Sequence, residues 1–264
     1  MKDLYRKVGK LRRKLLRDYD AEKLHKLRIA LRRARGILRN RTEPEARLLR
    51  DELGLLADTT NAARDWDTLV LYAAQHLKSE HYRRIGPWLD EQCESADQRV
   101  VRTLRSEQWN SVMTHWKQYA QTLEYAGANG ILAVEEDDVT QALARLAQSR
   151  DNVFARDEDA QWHKVRIAVK DLRYQLEVWE AAQPDVLRLC KRLQDSLGRW
   201  HDCVVHDQLL SGLVDEVDHA RNPRASKALR KLRQRLEKDR IANLDKARET
   251  LSGKAMNALL KPAA

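Results

Sequence analysis

Apolar residues recur at intervals of three and four along almost the whole chain. One example runs through Leu24, Leu27, Leu31, Ala34 and Leu38, and no segment alternates convincingly between apolar and polar residues. Intervals of three and four keep apolar side chains on one face of an α-helix. Glycine and proline, which interrupt helices, number only 9 and 5. The pattern predicts an all-α protein with about eight or nine helices joined by short loops.

Proline, glycine and capping residues predict where the helices begin and end. Thr42-Glu43-Pro44 combines a cap with a proline suited to a first helical turn, and Gly86-Pro87 predicts a second interruption. The segment Gly127-Ala128-Asn129-Gly130 is predicted to be a linker. Pro184 and Asn222-Pro223 are predicted to begin the last two long helices.

An eleven-residue segment occurs twice in the chain. Residues 25–35 read HKLRIALRRAR and residues 163–173 read HKVRIAVKDLR, so six of eleven positions are identical at an offset of 138. A second correspondence follows in each half at nearly the same offset, between residues 64–67 (Arg-Asp-Trp-Asp) and residues 201–203 (His-Asp-Cys). An internal duplication explains both matches.

The duplication predicts the domain organisation. We expect one compact domain that consists of two pseudo-twofold-related helical bundles with about four helices each. The predicted linker would divide these halves into residues 1–126 and 131–264.

On a helix, the repeated segment places its basic side chains in one row. At ~100° per residue, the row of the first copy falls within an arc of roughly 80° and contains His25, Arg28, Arg32, Arg35 and Arg39. The row of the second copy contains His163, Arg166, Lys170 and Arg173. Apolar residues form the adjoining face of each helix. In the first copy they are Leu24, Leu27, Leu31, Ala34 and Leu38, and in the second copy they are Trp162, Val165, Val169, Leu172 and Leu176.

A row of like charges indicates an anion opposite it, because cations three and four residues apart on a helix repel one another. The anion could be a protein carboxylate or a ligand. Arginine suits phosphate, since its planar guanidinium donates two hydrogen bonds and stays charged. A row from residue 25 to residue 39 would span about 20 Å at ~1.5 Å per residue. That length fits a chain of phosphates better than one small anion.

The distribution of charge also favours an anionic partner. The net charge is +10. Residues 1–50 contain 18 Lys and Arg against 6 Asp and Glu, and residues 221–248 contain 11 against 3. The intervening residues 51–220 contain 19 against 30. Basic ends and an acidic middle indicate a polyanion as partner, with a solvated charged surface as the alternative.

Basic rows also occur outside the repeated segment. One lies in the first predicted helix and consists of Lys7, Lys10, Lys14 and Arg17. Another lies in the last long helix and consists of Arg224, Lys227, Lys231, Arg235 and Lys238. Additional candidate phosphate-binding residues are Lys14, Arg17, Arg192 and Arg199.

The doubled pattern H-x-x-R-x-x-x-[RK]-x-x-R resembles the signature of the CHAD family, the conserved-histidine α-helical domain. Residues 62–67 (AARDWD), residues 193–198 (LQDSLG) and Asp202 are also similar to that family. The resemblance covers essentially the whole chain. It implies two four-helix bundles with a basic groove or pore between them, and it implies binding of inorganic polyphosphate.

The resemblance also implies which residues bind the phosphates. Carried onto this sequence, they are His25, Arg28, Arg32 and Arg35 together with His163, Arg166, Lys170 and Arg173. One departure is Asp171, which stands where the first copy has Arg33. That position lies off the basic row, so we expect Asp171 to weaken the surface charge without touching the site.

The sequence does not indicate catalysis. It contains no nucleophile elbow, phosphate-cradling glycine loop or H-E-x-x-H helix, and no E-x-E-x-K motif of the triphosphate-tunnel enzymes that accompany many such domains. We therefore expect a stand-alone, non-catalytic binding module without a cofactor.

A metal site is a weaker hypothesis. Asp65 with Asp67, and His201 and Asp202 with His206, have spacings that invite it. Helices rarely bring residues i and i+2 together. We prefer the interpretation that Asp65 and Asp202 pair with the arginines of the basic rows, and we expect no bound metal.

Nucleic acid is the main alternative partner, since a sequence pI of about 9.6 suits binding to its backbone. The single phenylalanine and the absence of an aromatic stacking platform count against it. A second alternative is a scaffold associated with polyphosphate granules that recruits a protein partner. Scattered cysteines and the lack of a long apolar run predict a cytoplasmic protein without membrane contact. The oligomeric state stays open.

Overall fold

The computed structural model describes residues 1–39, 41–125, 136–177, 179 and 183–260. These residues form eleven helices and no strand, which confirms the all-α class. The helices are α1 (Lys2–Arg17), α2 (Ala21–Ile37), α3 (Pro44–Asp58), α4 (Asn61–His76), α5 (Ser79–Arg105), α6 (Glu107–Tyr125), α7 (Glu136–Ala155), α8 (Asp159–Leu176), α9 (Pro184–His219), α10 (Pro223–Ser252) and α11 (Lys254–Leu259). The predicted linker at residues 127–130 lies outside the described residues.

The chain divides into two compact units. Unit 1 comprises Met1–Leu132 and Asn222–Ala228, and unit 2 comprises Ala133–Arg221 and Leu229–Ala264. In unit 1, α2 packs against α1, α3 and α4, while α6 packs against α1, α3 and α5. In unit 2, α8 packs against α7 and α9, and α11 packs against α9. The predicted duplication and its boundaries at residues 126 and 131 stay a prediction.

The apolar face predicted for α2 forms part of the core of unit 1. Its members Leu24, Leu27, Leu31, Ala34 and Leu38 are all fully buried. Each buried leucine contributes about 1.5–3 kcal/mol relative to an exposed one. This burial fixes the rotation of α2 about its axis, and so it fixes the direction in which the basic row points.

The apolar face predicted for α8 has the same role in unit 2. Trp162, Val165, Val169, Leu172 and Leu176 are buried in one cluster. Residues from α9 and the later part of α10 complete this cluster, among them Leu193, Leu197, Ala247 and Leu251. The predicted core faces of both repeated segments are therefore confirmed.

Three predicted helix starts are also confirmed. Pro44, Pro184 and Pro223 are the first residues of α3, α9 and α10. A proline fits the first position of a helix, because the N–H that it lacks has no partner within the helix there.

The predicted interruption at Gly86-Pro87 is wrong, since α5 continues from Ser79 to Arg105 with Pro87 inside it. Pro87 cannot donate to the carbonyl four residues earlier, which normally breaks or kinks a helix. Its neighbours Ile85 and Leu89 are fully buried. Packing of this face against the core offsets the missing hydrogen bond.

Eleven helices in the described residues exceed the eight or nine that were expected. Two of the additional boundaries form without glycine or proline. The Asp20 side chain caps α2 by accepting from the Lys23 N–H at 2.8 Å, and Ser106 Oγ accepts from the Trp109 N–H at 3.1 Å at the start of α6. Side-chain caps satisfy the free N–H groups of a first turn, so a helix can begin at such a residue. None of the described helices is both long and apolar enough to cross a bilayer.

Candidate functional site

His25 lies in the middle of a group of cations in unit 1. It is partly buried on α2. Burial lowers the pKa of His25, and the nearby charges of Arg64, Arg32 and Arg28 lower the pKa further. The histidine is therefore neutral near pH 7, and the charge of this group comes from its arginines. Arg64 reaches the group from α4.

Arg28 is held firmly by the junction between α3 and α4. Its Nη1 donates to the carbonyl oxygen of Ala57 at 3.1 Å and to Thr60 Oγ1 at 2.5 Å, and its Nη2 donates to Asn61 Oδ1 at 2.8 Å. All three acceptors are neutral, so the guanidinium is positioned without being neutralised. Burial lowers the pKa of Arg28, as does the charge of Arg32, while Asp65 acts in the opposite direction.

Arg32 and Arg35 are exposed on the same side of α2. Within the described residues neither forms a hydrogen bond or ion pair. The guanidinium of Arg35 lies against Gly54 of α3, where an added Cβ would be 3.3 Å from Nη2. The glycine therefore leaves room for this side chain beside the helix.

Arg39 lies just past the end of α2, and its role in binding stays a prediction. Helix α2 ends at Ile37, and Arg39 lies in a turn whose N–H donates to the carbonyl oxygen of Gly36 at 3.2 Å. The basic row on α2 therefore runs from residue 25 to residue 35, about 15 Å at ~1.5 Å per residue. We refer to His25, Arg28, Arg32, Arg35 and Arg64 as the first basic cluster.

The second basic cluster lies in unit 2 and is richer in histidine. The ring centroids of His163 on α8 and His201 on α9 are 5.2 Å apart, with an interplanar angle of 50°. Burial lowers the pKa of His201 to about 4, with further contributions from Arg166, His163 and Lys170. Burial and Arg166 also lower the pKa of His163. Both rings are therefore neutral near pH 7, with the cations of Arg166 and Lys170 beside them.

Arg173 completes this cluster but is partly compensated. Its Nε donates to Gln194 Oε1 at 2.7 Å, and its Nη1 pairs with Glu177 Oε1 at 2.6 Å. Its guanidinium carbon also lies 4.8 Å from the centre of the Tyr174 ring, and Lys170 Nζ lies 6.0 Å from that centre. Cation–π contacts of this kind orient both cations on the same side of α8. Arg173 therefore has a carboxylate partner, whereas the acceptors of Arg28 are neutral.

The surface position expected for Asp171 is wrong. Asp171 is only 5% exposed, and its Oδ2 accepts from Arg145 Nη2 of α7 at 3.2 Å. Arg33, at the corresponding position of the first copy, is exposed. Asp171 therefore joins α7 to α8 inside unit 2 and does not affect the surface charge.

The additional candidates lie on α1 and α9, which pack against the motif helices α2 and α8. Lys14 and Arg17 are exposed on α1, and Arg192 and Arg199 are exposed on α9. Within the described part of the chain, no hydrogen bond or ion pair joins any of them to a residue of the repeated segment.

Arg64 and His201 are the cluster residues that the basic rows did not include. They stand at corresponding positions of the second sequence match, residues 64–67 and 201–203. Arg64 lies on α4 and lowers the pKa of His25, whereas His201 lies on α9 with its ring beside that of His163. That second match was therefore the available signal for both residues.

The residues considered for metal binding are not brought together. Among the described residues, no three His, Cys, Asp or Glu side chains form a group that could hold a metal ion. His206 is buried, whereas Asp202 is exposed. Asp67 lies near Asp97 of α5, and burial raises its pKa to about 6, with a further contribution from Asp97.

The fold and the clusters define an all-α protein with a histidine and several cations at each of two sites. The family model of the CHAD domain matches residues 1–211. The structure is similar to the crystal structure of the CHAD domain from the plant Ricinus communis, with a TM-score of 0.66 and 23% identity over 99% of this chain and 89% of that chain. It is also similar to PptA from Streptomyces chartreusis, with a TM-score of 0.67 and 15% identity over 95% and 96% of the two chains. No curated protein matches the sequence. The chain belongs to the CHAD family.

Proposed function

We propose that this protein binds inorganic polyphosphate through its two basic clusters and does not act on it chemically. The CHAD family is linked to polyphosphate. The observation that carries the proposal is the anchoring of Arg28 by three neutral acceptors. Neutral groups hold this guanidinium in place, and among the described residues Asp65 and Asp58 act on it without accepting its hydrogen bonds, so its charge stays available to a ligand.

The exposed arginines of the first cluster support a multivalent anion as ligand. Arg32 and Arg35 lie about one helical turn apart, so adjacent phosphates of one chain can contact both. Bidentate guanidinium–phosphate contacts would offset the repulsion between these side chains. A single small anion would engage only part of the row.

The histidines of the second cluster also support an anionic ligand. The neutral rings of His163 and His201 gain a proton most easily when an anion lies beside them, since the bound charge favours the protonated form. The second cluster therefore adds positive charge in response to binding, next to Arg166 and Lys170.

The test is charge reversal at one exposed or partly exposed arginine of each cluster, Arg32→Glu with Arg166→Glu. Each lost charge-assisted contact costs about 1.5–3 kcal/mol, so the double variant should bind long-chain polyphosphate at least about 100-fold more weakly in calorimetric titration. The matched control is Arg83→Glu with Arg99→Glu, two exposed residues of α5. Equal loss in both variants would show that net charge alone determines binding and would overturn the proposal.

A further inference from the structure

Helix α10 carries a basic row on its solvent-facing side. The row, called here the α10 stripe, consists of Arg224, Lys227, Lys231, Arg235 and Lys238, and all five residues are exposed. The opposite side of the helix is buried, including Ala225, Leu229, Leu232 and Leu236. Spacings of three and four residues place the five cations within an arc of roughly 80°. They therefore point away from the core together.

Protein carboxylates compensate this stripe only in part. Arg235 pairs with Asp239, whose Oδ1 lies 3.0 Å from Arg235 Nη2. Among the described residues, Arg224, Lys227 and Lys238 form no ion pair. Like charges at i,i+3 and i,i+4 destabilise a helix, so an external anion beside Arg224, Lys227 and Lys238 would relieve part of this repulsion.

The stripe also differs from the two basic clusters in its setting. The CHAD family model ends at residue 211, so α10 lies outside the matched segment. Arg28 and Arg173 form hydrogen bonds to neighbouring helices, whereas Arg224, Lys227 and Lys238 form none within the described residues. The α10 stripe is therefore a candidate binding surface in addition to the two clusters.

We infer that the α10 stripe binds the sugar–phosphate backbone of duplex nucleic acid. At ~1.5 Å per residue, the stripe is about 21 Å long, which corresponds to about six base pairs at 3.4 Å each. The duplex is stiff over far longer distances, so it loses little conformational entropy when it lies along a row of exposed cations. A flexible phosphate chain would lose more conformational entropy than the duplex on binding to this exposed row.

The composition of α10 favours a duplex over a single strand. The helix contains no phenylalanine, tyrosine or tryptophan. Proteins that bind single strands combine basic residues with aromatic side chains on which the bases stack. Contacts from the α10 stripe would reach phosphates only, so binding should be independent of base sequence.

The experiment measures binding of a labelled 20-base-pair duplex by fluorescence anisotropy across a range of NaCl concentrations. The stripe variant is Arg224→Glu, Lys227→Glu and Lys238→Glu. The control is Arg83→Glu, Arg99→Glu and Arg102→Glu, which changes the net charge equally at exposed positions of α5. The stripe variant should bind at least about tenfold more weakly than the control. Its log–log salt slope should be shallower by about 2.7, at ~0.9 per lost phosphate contact.

Three outcomes would overturn the inference. The control variant could lose as much affinity as the stripe variant, the matching single strand could bind more tightly than the duplex, or Arg32→Glu with Arg166→Glu could abolish duplex binding. The last outcome would assign duplex binding to the basic clusters. If Arg32→Glu with Arg166→Glu loses polyphosphate binding but keeps duplex binding, the two ligands use separate sites. The inference about duplex binding can therefore fail while the proposed polyphosphate binding holds.

Discussion

The imidazole rings of His163 and His201 lie 5.2 Å apart, between the α8 and α9 helices of unit 2. The pKa of each histidine lies below its ordinary value, mainly because of burial, and that of His201 is lowered to about 4. Two neutral rings beside Arg166 and Lys170 can each accept a proton when negative charge arrives. We therefore expect this pair to make the proposed binding pH-dependent.

Polyphosphate binding should strengthen as the pH falls from 7.5 to 5.5. In the free protein His201 is neutral throughout this window, and a bound anion raises its pKa, so the complex takes up protons that the free protein does not. Calorimetry in two buffers with different ionisation enthalpies measures this uptake. His201→Gln should reduce both the uptake and the pH dependence, whereas His219→Gln, at an exposed site on α9, should leave them unchanged. Tighter binding at pH 7.5 would contradict the account.

Thr60→Val should release one of the three anchors of Arg28. Thr60 is fully buried, and its Oγ1 accepts from Arg28 and donates to the carbonyl oxygen of Ala57. The loss of a hydrogen bond to a charged group should lower the free energy of unfolding by about 1.5–3 kcal/mol, measured by urea denaturation. Thr59→Val is the matched control, because the exposed Thr59 has no bond to Arg28 and should cost less than about 0.5 kcal/mol. Similar costs for both variants would show that the anchor contributes little.

The two copies of the repeated segment carry opposite charges at one position, Arg33 and Asp171. Exchanging the residue types at these two positions should destabilise the protein to unequal extents. Asp171→Arg would place a cation at a buried site that faces Arg145, so the variant should lose more than about 3 kcal/mol or fail to fold. Arg33→Asp changes an exposed residue and should cost less than about 1 kcal/mol. Thermal unfolding followed by circular dichroism compares the two, and equal tolerance would contradict the buried position of Asp171.

Asp67→Asn should stabilise the protein above pH 6. Burial and Asp97 raise the pKa of Asp67 to about 6, from 3.8 in the unfolded chain. The folded state therefore binds more protons between pH 4 and pH 6, and stability falls as the pH rises through that window. The gain at pH 7.5 should be about 1 kcal/mol, reduced by partial exposure and by the lost attraction to Arg64.

Urea denaturation of this variant at pH 4.5 and 7.5 separates the titration from other effects. The gain should nearly vanish at the lower pH, where the native carboxyl group is already protonated. Asp195→Asn, at an exposed residue of α9, should show no such difference. A loss of stability at pH 7.5 would mean that the charge of Asp67 is needed by the fold.

The features that the sequence predicted correctly depend on local periodicity. The buried faces of α2 and α8 follow from apolar intervals of three and four, and Pro44, Pro184 and Pro223 mark helix starts by their own geometry. These properties do not depend on which segments become neighbours. They were sufficient for the all-α class and for the orientation of both motif helices.

The features that were missed depend on tertiary contacts. Pro87 remains helical because the core buries Ile85 and Leu89 beside it. Asp171 is buried because α7 supplies Arg145, and the sequence of α8 alone does not reveal that neighbour. Arg64 and His201 join the clusters from adjacent helices, at positions that a single helical row cannot include.

The most direct test of polyphosphate binding is a calorimetric titration of the unmodified protein with long-chain polyphosphate at several salt concentrations. The account predicts tight binding that weakens steeply as the salt concentration rises, because each neutralised phosphate releases a counterion. With at least six contacts at about 0.7 each for a flexible chain, log affinity should fall with log salt at a slope of about −4 or steeper. A slope near −1, or no measurable binding at low salt, would contradict the assignment of the two basic clusters as a polyphosphate site.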